Sequence, residues 1–162
     1  MALLILSLGS NVDAQLNIGL AIQSLRNEFG NINLSTVYES EAVGFEGNNF
    51  LNLTVSIESD LLLEEINNFL KQLEDTLGRD RNQPRFSDRP IDIDILIYGE
   101  ESGEGYGLAL PRAEILNNAF VLRPLAEMHP TLLHESSGLS YGEHWEQFEK
   151  VKQKLWPIDL NF

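Results

Sequence analysis

The sequence predicts an α+β fold: an antiparallel sheet built in the order β-α-β-β-α-β, followed by a C-terminal extension containing short helices. Three observations carry that expectation. Residues 50–58 alternate, with Leu51, Leu53, Val55 and Ile57 on one side and Phe50, Asn52, Thr54, Ser56 and Glu58 opposite. Two stretches, 13–30 and 60–78, carry apolar residues near helical spacing, and each ends on a glycine. Short apolar runs at 3–8 and 91–98 flank them, as first and last strands would. At 162 residues, the chain is sized for one domain spanning 1–162 with an ordinary core.

Taken in order, the run 3–8 is closed by Gly9-Ser10-Asn11, which suits a buried strand and a turn. Asp13 is placed to cap a helix whose Leu16, Leu20, Ile22, Leu25 and Phe29 form the apolar face, with Gly30 at its end. Residues 32–39 read as one strand, and GFEGNN (44–49) as a loop. After the strand at 50–58, Asp60 is placed to cap a second helix carrying Leu62, Ile66, Phe69, Leu70, Leu73 and Leu77. RPIDIDILIYG (89–99) then puts Ile91, Ile93, Ile95 and Ile97 on one face, and Asp92, Asp94 and Leu96 on the other. A glycine-rich acidic turn at 99–107 leads to 108–111, and helices are expected at 113–117, 120–127 and 141–155. The order βαββαβ is that of the ferredoxin-like motif, with both helices on one face of the sheet. The opposite face then gathers Phe50 and Asn52 from one strand, and Asp92 and Asp94 from another. Later residues partly cover that face or flank its edge.

Composition excludes several classes. The absence of cysteine removes a disulfide scaffold, a thiolate zinc site and a cysteine nucleophile, and His129, His134 and His144 lack tight metal-ligand spacing. A net charge of −14 argues against a broad nucleic-acid or anionic-membrane surface. The N-terminal apolar run is too short for a membrane span and has no basic flank. The expectation is a soluble cytoplasmic protein with neither nucleic acid nor membrane as partner. No GxxxxGK[ST] occurs, so any phosphate chemistry is not of the P-loop type.

The aspartate pair is where chemistry is legible. Aspartate is depleted in strands, and two on one face lie roughly 6.5–7 Å apart. At an effective dielectric near 20 they repel by about 2.5 kcal/mol, which a shared cation would reverse. A half-buried strand with a wet outer face would also carry such acids. Four of the seven arginines (Arg79, Arg81, Arg85 and Arg89) fall just before the pair. A solvated loop explains them singly; beside a metal pair, guanidinium groups and one or two Mg²⁺ ions are what a polyphosphate needs. Phe50 and Phe120 are suited to stack on a flat ring, and the Asn52 amide to read its edge, although Phe120 in AFVLRPL also reads as core.

SLGSN, YESEAVGFEGNNFLNLTVSIES, LEDTLGRDR…RPIDIDILIYG and LPRAEILNNAFVLRPLAEMHP follow one another along the chain. Together they resemble the hydroxymethyl-dihydropterin pyrophosphokinase family of folate synthesis over nearly the whole length. The resemblance implies a ferredoxin-like core, ATP and a reduced pterin as substrates, Mg²⁺ (two ions with ATP), and transfer of pyrophosphate to the pterin hydroxymethyl group with release of AMP. It implies Asp92 and Asp94 as metal ligands, and Arg79 and Arg89 as phosphate-engaging catalytic residues. Glu74, Arg81, Arg85 and Phe86 fall at nucleotide and loop contacts. Ser40, Val43, Phe50, Asn52 and Phe120 fall at the pterin pocket. The chain departs from the family at Ser87-Asp88, which puts a carboxylate beside Arg89. It departs again at Arg112, where histidine is common, and at Asn118, where arginine is common. Arg112 thus exchanges one nucleotide contact for another type and a cation is missing at 118, so altered ATP binding with retained activity is expected. Two other readings stay open: a divergent paralogue acting on a related pterin, and a non-catalytic ferredoxin-like binding or regulatory domain.

Overall fold

The computed structural model describes residues 1–42, 44–78, 82 and 88–162. In chain order the elements are β1 (Ala2–Ser10), α1 (Ala14–Phe29), β2 (Ile32–Leu34), β3 (Val37–Ser40), β4 (Phe50–Ser59), α2 (Leu63–Thr76) and β5 (Asp92–Tyr98). They continue with β6 (Gly103–Gly105), β7 (Leu108–Leu110), α3 (Ala119–Met128), β8 (Leu133–His134), β9 (Leu139–Ser140), α4 (Tyr141–Gln147) and β10 (Leu155–Ile158). Single 3₁₀ turns lie at Ala113–Leu116 and Lys150–Lys152.

The main sheet runs β10-β3-β4-β1-β5, with β2 also paired to β4, and its pairings are antiparallel. β1 lies at its centre because alternate residues on both its faces are apolar at one end. Leu4, Leu6 and Leu8 join Leu51, Leu53, Val55, Ile57, Ile91, Ile93 and Ile95 under α1 and α2. Ile5 on the reverse joins Leu96, Ile97, Val121, Leu122, Leu125 and Tyr141 under α3 and α4. Helices therefore cover one face entirely and the other at one end only. Glu127 secures α3 over β3: it accepts the Thr36 N–H at 2.9 Å and the Tyr38 hydroxyl at 2.5 Å.

Several expectations are corrected. The buried stripe of α1 is Ile18, Ala21, Ile22 and Leu25, while Leu16 and Leu20 face outward. Asp13 stands at the N-cap in the left-handed region (φ 43°), but its side chain makes no cap bond. Asp60 does not cap α2 either. The connection runs two residues further, Glu65 accepts the Leu62 N–H at 3.1 Å, and Asp60 pairs with the N-terminal amine. The strand expected at 32–39 is two strands, interrupted where Ser35 Oγ accepts the Thr54 N–H at 2.9 Å.

Ile97 is also turned. Between β1 and β5 the register steps from Ile5↔Ile97 to Leu6↔Ile95, so Leu96 is an extra residue. That bulge swings Ile97 to the face under α3 and puts Tyr98 on the side of α1 and α2. The helix expected at 141–155 ends at Gln147; Ser140 and Glu143 cap its start reciprocally, at 3.1 Å each way. The chain then returns as β10, an edge strand that tolerates Pro157 because proline has no N–H to contribute. Among the described residues no helix is long and apolar enough to cross a membrane.

Candidate active site

The uncovered end of the sheet forms the floor of a recess of about 540 Å³. Its floor follows from strand register. Gly9 on β1 lies opposite Asn52 on β4 and opposite Asp92 on β5, and Ser7 likewise lies between Thr54 and Asp94. Asn52 and Asp92 are thus two strand spacings apart, about 9.5 Å, across a residue with no side chain. A Cβ at Gly9 would meet Asn52 Oδ1 at 3.4 Å, so any larger residue would stand over the amide.

Asn52 is buried, and both its N–H groups are committed, to Ser40 Oγ at 2.8 Å and to the Tyr38 carbonyl at 3.2 Å. Its carbonyl oxygen is left as the acceptor beside Gly9, in a fixed orientation. Phe50 and Phe120 line the same recess, and Phe45 packs edge-on against Phe50 with ring centroids 6.4 Å apart.

On the other side, Asp92 and Asp94 both face the recess. Burial first, and the charge of Asp92 second, push the Asp94 carboxyl up to about 7, while Arg112 pulls it down. About a third of the Asp94 side chain (34%) stays open to solvent, which softens that penalty. Arg112 sits 3.8 Å from Asp94 and 3.8 Å from Glu114. Its Nε donates to the Ile95 carbonyl at 3.2 Å and its backbone N–H to the Leu96 carbonyl at 3.0 Å. Arg112, one of the departures from the family pattern, therefore both fastens the bulge and faces the acid pair.

Glu74 does not line the recess. It is buried beneath β5, where its carboxylate accepts the Ile93 N–H at 2.8 Å, between the two aspartates. It fixes the strand that presents them. Arg89 lines the recess and is held from behind by Asn11. Asn11 accepts the Arg89 N–H through Oδ1 at 2.7 Å and donates its own N–H to the Arg89 carbonyl at 3.0 Å. Ser10 Oγ donates to the Pro90 carbonyl at 2.5 Å. SLGSN is therefore a bracket for residues 89–90, a role sequence reasoning missed; its only signal was its place in the family resemblance. Asp88 is turned away from the recess toward Asn11, whose amide it accepts at 2.8 Å, and it lies against Gly47, where a Cβ would come within 2.7 Å of it. Ser7, Gly9, Phe45 and Glu114 were likewise not expected in the lining. Val43, Arg79, Arg81, Arg85, Phe86 and Ser87 lie outside the described residues.

Among the described residues, no group of three or more His, Asp or Glu side chains is arranged to hold a metal. A pair of carboxylates fits a hard cation that takes its remaining oxygens from water and a polyphosphate, as Mg²⁺ does.

A recess with acids at one end, and an oriented amide with aromatic rings at the other, suits an enzyme that brings two small molecules together. Comparison with known proteins specifies which. A family model described as 7,8-dihydro-6-hydroxymethylpterin-pyrophosphokinase (HPPK) matches residues 5–130, and the chain belongs to that family. It is 37% identical over 136 residues to 2-amino-4-hydroxy-6-hydroxymethyldihydropteridine pyrophosphokinase of Aquifex aeolicus, covering 83% of this chain and 84% of that protein. It is 33% identical to the Bacillus subtilis protein of the same name, covering 91% and 93%. The fold is similar to the crystal structure of wild-type Plasmodium falciparum HPPK-DHPS with pterin and p-hydroxybenzoate (TM-score 0.67, 15% identity), covering 90% of this chain and 43% of that one.

Proposed function

We propose that this chain is a pyrophosphokinase of folate biosynthesis: it transfers the terminal diphosphate of ATP to the hydroxymethyl group of 6-hydroxymethyl-7,8-dihydropterin and releases AMP. The observation that carries the reading is the register Asn52–Gly9–Asp92, which sets a ring-reading amide and a carboxylate pair on one floor. The names of the relatives at 33–37% identity support it.

Asn52 offers its carbonyl to a donor on the pterin edge, while Phe50 and Phe120 hold the ring faces. This leaves the hydroxymethyl group directed across Gly9 toward Asp92 and Asp94. Positioning dominates such transfers, because little covalent chemistry falls to the protein. The hydroxymethyl oxygen bonds to the β-phosphorus as that phosphorus parts from the bridging oxygen, which leaves on AMP, and the hydroxyl proton passes to water. Arg89, and from the sequence Arg79, engage phosphate oxygens; Arg81, Arg85 and Phe86 serve the nucleotide. Asp92 and Asp94 would hold Mg²⁺, which when bound offsets charge on the polyphosphate. Arg112 faces that polyphosphate while restraining Asp94. The strand order β3-β4-β1-β5, with α1 and α2 on one face, supports reading residues 1–98 as a ferredoxin-like core within a single domain spanning 1–162. The same reading places the reaction in the cytoplasm.

The test is AMP release from hydroxymethyl-dihydropterin, ATP and Mg²⁺, beside reactions lacking each component. AMP formed only in the complete mixture supports the proposal. ATP hydrolysis that ignores the pterin would refute it.

A further inference from the structure

Residues after 130 lie outside the family match, yet they pack against β3 and the start of α3, which carry residues of the recess. β10 pairs with β3, setting Leu155 opposite Ser40. Two residues before β10 begins, Gln153 turns its amide to the start of α3. Its Oε1 accepts the Ala119 N–H at 2.8 Å, and its Nε2 donates to the Asn117 carbonyl at 2.8 Å. These bonds fall on either side of Asn118, the N-cap residue. Asparagine is among the favoured cap side chains, but Asn118 makes no cap bond. Ala119 is only 2% exposed, so an unmet N–H there would be costly, and a side chain 34 residues downstream supplies the acceptor. Asn118 is thereby left to line the recess beside Asn117 and Phe120.

We propose that Gln153 is a positioning residue for the pterin side of the site, an inference that rests on the pyrophosphokinase reading. It pins the first turn of α3 one residue before Phe120 and so sets where that ring stands. The rest of α3 is held independently by Val121, Leu122 and Leu125 in the core. The acid pair and Arg89 are held by β5 and Asn11. Losing the clamp therefore loosens ring stacking in the ground and transition states alike, which raises KM for the pterin and leaves kcat unchanged.

The test uses the full chain with Gln153→Met, which keeps the length and removes both bonds, and Gln153→Glu, which keeps the acceptor for Ala119 alone. KM for pterin and for ATP, kcat, pterin binding by its own fluorescence, and melting temperature are measured. The expected result is a rise of about tenfold in KM and Kd for the pterin in Gln153→Met, a smaller rise in Gln153→Glu, and kcat and KM for ATP within about twofold of the parent. Unchanged pterin binding, or parallel losses in every parameter together with a lowered melting temperature, would overturn it. If Gln153→Met does not fold, Gln153→Glu decides by the same readouts. If the parent chain binds pterin but releases no AMP, the pyrophosphokinase reading fails while the fluorescence titration still decides the clamp.

Discussion

One strand, one face, two outcomes: along β1, Ile5 seals the sheet beneath α3 and α4, whereas Ser7 and Gly9, on the same face, leave it open as the floor of the recess. β5 repeats the division, with Leu96 and Ile97 beneath the helices and Asp92 and Asp94 in the open half. The boundary between core and site is thus drawn along β1 by side-chain size and polarity alone, and along β5 by the same change together with the bulge at Leu96. The sealed half is packed core, and the open half carries the electrostatic cost of the neighbouring carboxylates.

If the open half is the catalytic one, Asp92→Ala or Asp94→Ala should lower Mg²⁺-dependent AMP release by about a hundredfold or more, without lowering the melting temperature. Retained activity would remove the distinction. In the sealed half, Leu125→Ala should cost about 2–5 kcal/mol in a urea titration, with AMP formation per folded molecule kept at low temperature. Extending the seal by Ser7→Ile should reduce kcat/KM by about tenfold while stability holds or rises, since it carries an apolar side chain into the recess. A normal rate in that variant would show that the floor of the recess is not where the substrates meet.

The smallest effect concerns His129, beneath the sealed half, whose Nε2 lies 3.0 Å from Ser56 Oγ and whose pKa is lowered by burial. The unfolded chain then binds more protons than the folded one at mildly acidic pH, so stability is present above pH ~6.5 and falls as pH drops through the depressed value. His129→Gln should flatten part of that dependence, read as the melting-temperature difference between pH 7.5 and 5.5. His134, lowered by burial and by His144, adds in the same direction, while Asp94, raised to about 7, binds its proton in the folded chain and opposes both.

What the sequence disclosed follows the same boundary. Alternation along β4 and the paired aspartates were legible because each is a local pattern with one physical meaning. Leu16 and Leu20 misled because apolar residues on α1 also face outward, and only packing against the sheet selects Ile18, Ala21 and Ile22. Ile97 misled because a bulge is set by the partner strand and by Arg112 rather than by the strand's own residues. The helix expected at 141–155 ran onto the first residue of β10 and the rest of β10 was not anticipated, because an edge strand is defined by the neighbour it joins. The roles of Asn11 and Gln153 are tertiary, spanning 78 and 34 residues, and no spacing rule reaches that far.

Glu74 and Arg112 have one more effect. The Ile93 N–H and the Leu96 carbonyl, on the outermost strand β5, are taken by a helix carboxylate and by the backbone of Arg112. At the opposite margin, Pro157 interrupts the row of donors on β10. Both borders of the sheet are therefore poor templates for another copy's strand, which guards a concentrated solution of this acidic chain against edge-to-edge aggregation.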